Sequence, residues 1–165
     1  MAIKDGKYLM EDVAEYMLWF CEEILGSPIN NYQLNYILVY AVAEYRKIYN
    51  VNFLWNVDIE CWTYGFMFPE LYHSFTYNDS YEPFAPICGI KYPNEETRDF
   101  LGESDKVFLN YIIKSLINKS LEEFRAEMQS MKLHKKRYVK GFRNEVFEDE
   151  LAEEFKAHDW INKKI

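Results

Sequence analysis

Asn30-Asn31-Tyr32-Gln33-Leu34-Asn35-Tyr36-Ile37-Leu38-Val39-Tyr40-Ala41-Val42-Ala43-Glu44-Tyr45-Arg46-Lys47-Ile48 reads as one long helix. Leu34, Ile37, Leu38, Ala41, Tyr45 and Ile48 recur at steps of three and four, which lines them along one face. Val39, Tyr40 and Val42 widen that stripe, so the spacing predicts a helix at the centre of the fold. Asn30 or Asn31 can cap its first turn, and the run ends near Asn50.

On the N-terminal side, a helix is predicted from about Met10 to Leu25. Leu9, Val13, Tyr16, Met17, Phe20 and Ile24 form its apolar stripe, and Asp12, Glu15, Glu22 and Glu23 its polar side. Gly26 supplies a left-handed stop and Pro28 forbids continuation. On the C-terminal side, helices resume at Asn94, with Glu95 and Glu96 favouring the dipole. Val107, Leu109, Ile112, Ile113, Leu116 and Ile117 are core-like, and this helix ends near Asn118. Ser120-Leu121-Glu122-Glu123 is a capping box that starts a helix through about Met131. A final helix covers about Phe147 to His158, with Phe147, Leu151 and Phe155 at spacings of four.

Between these helices, Val51 to Tyr64 changes character. Phe53-Leu54-Trp55 and Ile59-Glu60-Cys61-Trp62 are short and rich in aromatic and β-branched types, with Asn56-Val57-Asp58 between them. They predict a small hairpin or two extended pieces. Gly65 breaks the run, Pro69 starts a short helix to Phe75, and Thr76 to Tyr92 is a long loop. The expected fold is therefore mainly α: a compact single domain over residues 1–165 with a small extended or hairpin insert around residues 51–64. Val13, Tyr16, Phe20, Leu34, Leu38, Ile112 and Leu116 are its expected core.

A chain of 165 residues can bury a real core without disulfides. Aromatic types reach 18%, with 14 Tyr and 12 Phe, so some must lie on the surface, where they suit a binding face. AT-rich codon usage would produce the same load. The net charge of −8 disfavours nonspecific nucleic-acid binding and anionic membranes, and is compatible with nucleic-acid mimicry or a basic partner. Cys21, Cys61 and Cys88 are odd in number and far apart, which reads as reduced, buried thiols in a cytoplasmic protein without disulfides. The first residues lack the apolar stretch of a signal peptide, and no window is apolar enough to span a membrane.

The residues that could carry chemistry are sparse. His73, His134 and His158 accompany Cys61 and several serines, but no nucleophile-elbow or Cys-His signature surrounds them. Glu70-x-x-His73 has the spacing of a di-iron half-site, yet no second copy exists. The isolated glycines offer no phosphate cradle. No metal, no cofactor and no catalytic residue are therefore expected. The stretch Lys132 to Arg143 holds six basic residues and no acid. Lys135, Lys136 and Arg137 are candidates for a partner surface. The more ordinary outcome is pairing with the acidic helix at Glu148, Asp149, Glu150, Glu153 and Glu154.

One further stretch stands apart: Asp58 through Phe75, with Glu60-Cys61-Trp62-Thr63-Tyr64-Gly65-Phe66-Met67-Phe68-Pro69-Glu70-Leu71-Tyr72 at its centre. It resembles the signature of the Panacea (SocA-like, phage-associated) domain family, a Glu-Ala-Trp-x-x-Gly-Pro-Val-x-Pro-x-x-Tyr pattern. Asp12-Val13-Ala14 also resembles that family's opening helix. Cys61 replaces the family's Ala, Phe66 its Pro, and Asn35-Tyr36 its Gln-Lys pair, as in a divergent member. The resemblance implies an α-rich fold and a non-enzymatic role as an antitoxin or proteolytic adaptor that binds a protein partner. The alternative is a phage counter-defence or host-takeover inhibitor, such as an anti-CRISPR, directed at a nucleic-acid enzyme; an enzyme is a third. Gly65 and Pro69 are expected to present Tyr64, Phe66, Phe68 and Tyr72 as an exposed partner-binding patch, with Trp62 holding the fold.

Overall fold

The structure, a computed structural model, describes residues 3–75, 82, 84–90 and 100–161. Helix α1 spans Met10–Trp19 and continues into a single π-helical turn over Phe20–Ile24. That turn is closed by Leu25 N donating to Phe20 O at 3.0 Å, and Gly26 stops it with φ +62°. Helix α2, Asn31–Tyr49, is the longest. Its start is a capping box in which Asn30 Oδ1 accepts from Gln33 N and Gln33 Oε1 accepts from Asn30 N, both at 2.9 Å. Asn50 ends it in the left-handed region.

Strands β1 (Ile59–Trp62), β2 (Gly65–Met67) and β3 (Glu145–Val146) form an antiparallel sheet in the order β2-β1-β3. Cys61 pairs with Phe66, and Ile59 with Val146. The other helices among the described residues are α3 (Pro69–Ser74), α4 (Glu103–Leu116), α5 (Leu121–Ser130), α6 (Lys132–Arg137) and α7 (Glu148–Lys156). Ser120 and Glu123 form the expected capping box on α5. Helix α2 is the hub: it packs against α1, α3, α4, α5, α7 and β2. Leu34 to Tyr45 is buried throughout. The width of its apolar stripe is the cause, since neighbours on several sides are needed to cover it. The chain is mainly α with a small hairpin, and the expected core residues Val13, Tyr16, Phe20, Leu34, Leu38, Ile112 and Leu116 are all buried. No helix among the described residues is long and apolar enough to cross a membrane.

Four expectations are corrected. The hairpin turns at Thr63-Tyr64, not at Asn56-Val57-Asp58, and Gly65 opens β2 rather than breaking the run. Phe53-Leu54-Trp55 instead lies along the N-terminal segment, where Tyr8 N donates to Phe53 O at 3.0 Å and Trp55 N to Tyr8 O at 2.7 Å. Gly6 permits this approach, because a Cβ there would sit 1.9 Å from Leu54 O. The stripe members Leu9, Ile24, Ile48, Val107 and Phe147 are exposed. Leu9, Ile24, Ile48 and Phe147 lie at or near element ends, and the π turn rotates Ile24 off the face that Phe20 shares; Val107 falls off the buried face that Leu109, Ile112, Ile113 and Leu116 share. Cys88 is exposed while Cys21 and Cys61 are buried. The helix start at Asn94, with Glu95 and Glu96, and much of the Thr76–Tyr92 loop lie outside the described residues; the described part of that helix opens at Glu103.

A buried polar cluster ties α4 to the N-terminal segment. Asp105 accepts hydrogen bonds from Lys7 Nζ (2.6 Å), Tyr8 Oη (2.5 Å) and Tyr45 Oη (2.9 Å). Burial by itself would raise its carboxyl, but these bonds and the Lys7 charge outweigh it and hold the group below the usual carboxylate range. A depressed folded-state pKa means stability that is present above the unfolded value and lost as pH falls through the folded one. Asp105→Asn is expected to cost about 2 kcal/mol at neutral pH and much less in acid. Urea unfolding at pH 7 and pH 3 reads this directly; an equal loss at both would show that shape, not charge, matters at this site.

Candidate partner interface

Three separate parts of the chain wall a cleft of about 300 Å³. Helix α2 contributes Tyr32 and Tyr36, four residues apart and so on one face. The β1–β2 turn contributes Trp62, Thr63, Tyr64 and Gly65, and the segment after α6 contributes Tyr138, Gly141 and Phe142. Gly65 is required by close approach, since a Cβ there would stand 2.6 Å from Met128 Sδ and 3.3 Å from Tyr36 Cε1.

Hydrogen bonds fasten the hairpin to the α6 side of the cleft. Thr63 Oγ1 and Tyr138 Oη are 2.8 Å apart, Gln129 Nε2 donates to Thr63 O at 3.0 Å, and His134 Nε2 lies 2.8 Å from Trp62 O. Tyr138 stacks on the His134 ring at 5.7 Å. On the α2 side, Tyr32 stacks on Phe84 at 5.4 Å and meets Tyr72 at 5.6 Å, and Tyr72 meets Trp62 edge-on at 5.3 Å. The Arg125 guanidinium lies over both Tyr32 (5.1 Å) and Tyr64 (4.9 Å), and its Nε donates to Tyr36 Oη at 3.4 Å. A row of aromatic rings thus runs across the surface with its order set by packing. Tyr64 and Phe84 in this row stay open to solvent, 56% and 61% exposed, as does the cleft-lining Phe142 at 73%.

The sequence candidates fall on both sides of this surface. Tyr64 is on the lip and Tyr72 is a half-buried member of the row. Phe66 and Phe68 are not part of a patch: both are 0% exposed. Strand β2 is packed against β1, α2 and α5, which encloses Phe66, and Phe68, the residue that caps α3, is likewise sealed. The Phe66 ring meets His134 edge-on at 5.7 Å, and Phe68 N donates to the buried Asn35 Oδ1 at 3.1 Å. Trp62 is half-buried between the cleft and Tyr72, and Pro69 occupies the first turn of α3 as expected.

The basic stretch divides. Arg137 donates to Glu145 O at 2.7 Å and pairs with Glu150 on α7, so its guanidinium is engaged within the chain. Arg143 pairs with Glu60 at 2.8 Å and Asp58 at 3.2 Å. Lys136 lines a different groove, beside Glu150, Glu153 and Glu154, and Lys135 is simply exposed. The aromatic and basic segments, distant in sequence, do meet through Thr63–Tyr138 and Trp62–His134.

Tyr32, Tyr36, Phe84, Arg125, Tyr138 and Phe142 escaped the sequence reading. Tyr138 and Phe142 carried a signal, as aromatic residues inside a charged run. Cys61 and Asn144 also line the cleft, with His134 beside Cys61. Their bonds run through the backbone: Cys61 Sγ donates to His134 O (3.8 Å), not to the ring, and Asn144 Nδ2 donates to Cys61 O (3.3 Å). Burial pushes the Cys61 thiol up to about 12, so it stays protonated at neutral pH. Glu70 and His73 are both exposed, and no described group of three His, Cys, Asp or Glu could hold a metal ion. Comparison of the chain with protein-family models, curated proteins and solved structures returns no match.

Proposed function

We propose that this chain is a non-enzymatic protein-binding domain, of the antitoxin or proteolytic-adaptor kind, acting in the cytoplasm through its aromatic cleft. One observation carries the reading: Tyr64 and Phe142 line one cleft and are both largely exposed, while its walls are already held by hydrogen bonds. Large exposed aromatics on a preorganised support bind with little ordering cost, which is how interface anchors behave. The acidic balance of the chain favours a second reading, inhibition of a nucleic-acid enzyme in a phage counter-defence role. Both use the same surface and differ in the partner.

The test is a pull-down from the native host with the parent chain and with a Tyr64→Ala, Phe142→Ala double variant. A partner retained by the parent should be lost from the variant, with affinity reduced by more than about 2 kcal/mol and the melting temperature unchanged. A toxin or protease in the eluate supports the first reading, and a nuclease or polymerase the second. Equal recovery on both chains would move the interface away from the cleft.

A further inference from the structure

Resting on that protein-docking reading, we propose that the cleft takes an acidic segment of its partner: one large apolar side chain enters the cleft, and a neighbouring carboxylate meets Arg125.

The charge pattern around the cleft supports this choice. The cations that flank the cleft segments are committed at Arg137, to Glu150, and at Arg143, to Glu60 and Asp58. Arg125 is not. Among the described residues no carboxylate pairs with it; its partners are the two tyrosine rings and the Tyr36 hydroxyl. The rings fix the plane of the guanidinium while most of its donors remain unused, an arrangement suited to a carboxylate. Lys140, between the lip residues Tyr138 and Gly141, is exposed and likewise has no acidic partner among the described residues. Two uncommitted cations beside one cleft stand out in a chain of net charge −8.

The same geometry argues against a cationic ligand. Arg125 already covers Tyr32 and Tyr64, the ring faces that such a ligand would seek. The volume of about 300 Å³ suits one large side chain with flanking backbone, not a folded surface.

The experiment pans a random peptide display library on the immobilised full chain, with the Tyr64→Ala, Phe142→Ala variant as the counter-selection. Enriched peptides should place Phe, Trp or Leu beside Asp or Glu. A fluorescent copy of one such peptide, titrated by anisotropy, should bind Arg125→Gln and Lys140→Glu about tenfold more weakly, with the difference shrinking as salt is raised. Lys140 lies on the surface, so its variant keeps the test valid if Arg125→Gln melts early. Cleft-dependent peptides that lack acids, or parent-like binding to both charge variants, would overturn this inference and leave the docking reading standing. No cleft-dependent peptide at all, or a labelled oligothymidylate that binds the parent but not the double variant, would overturn both.

Discussion

Glu148→Gln should stabilise this protein, and the gain should grow with pH. Glu148 opens α7 with its carboxylate turned inward, 6% exposed, and neither oxygen has a hydrogen-bond partner among the described residues. It faces a cavity of about 110 Å³ that Lys4 and Arg46 also line. Those cations are occupied elsewhere: Lys4 Nζ donates to Glu145 at 2.7 Å and Asp58 at 3.1 Å, and Arg46 donates to Asn52 Oδ1 at 2.9 Å. Burial pushes the carboxyl from 4.5 to about 8, against the opposing pull of Arg46 and Lys4. A raised folded-state pKa gives stability that is full below the unfolded value and lost as pH climbs through the folded one. The neutral Gln escapes that loss. The stability gap between variant and parent should therefore widen by about 3 kcal/mol between pH 4.5 and pH 7, and further toward pH 8. Urea unfolding of both proteins across this range tests it. Parallel curves would mean that Lys4 or Arg46 turns into the cavity and pairs with the charge. Asp105 works in the opposite direction, so its loss should steepen nothing on the alkaline side.

Phe66→Ala and Phe68→Ala are each expected to cost about 3–5 kcal/mol, a large share of the roughly 5–15 kcal/mol that holds a domain of this size. Both rings are fully enclosed, Phe66 beneath the cleft floor against His134 and Phe68 beside Asn35 of α2. Truncating either leaves a void where β2, α2 and α5 meet, a junction too constrained to collapse. Thermal melts followed by circular dichroism should fall steeply for these variants and stay put for Tyr64→Ala, four positions before Phe68 in the chain. A Phe66→Ala protein that melts like its parent yet fails to bind a partner would mean that β2 lifts away from the core in solution.

These contrasts show where local sequence suffices. The heptad-like stripe in α2, the Asn30 and Ser120 caps, the Gly26 stop and the Pro69 start are all present in the order of the residues, because each rests on contacts within a few positions. Burial of Val13, Leu38 and Leu116 follows the same logic. The placement of the hairpin does not. Ile59 to Trp62 could pair on either side, and the choice went to Gly65–Met67 because the Leu54 segment was already engaged by Tyr8.

Exposure of the aromatics in the signature stretch is the clearest case. Tyr64, Phe66 and Phe68 are equivalent in composition and spacing, yet Tyr64 faces water while the phenylalanines are sealed, because α2 and α5 close over β2 and leave only its turn free. The cleft itself joins Tyr32, Tyr64 and Phe142, separated by tens of positions, with Arg125 from a further helix. Helix identity and the inward face of each helix come from periodicity, which the chain carries along its own length. Which rings remain on the surface, and which cations remain unpaired beside them, depends on what distant segments cover, and only tertiary packing sets that.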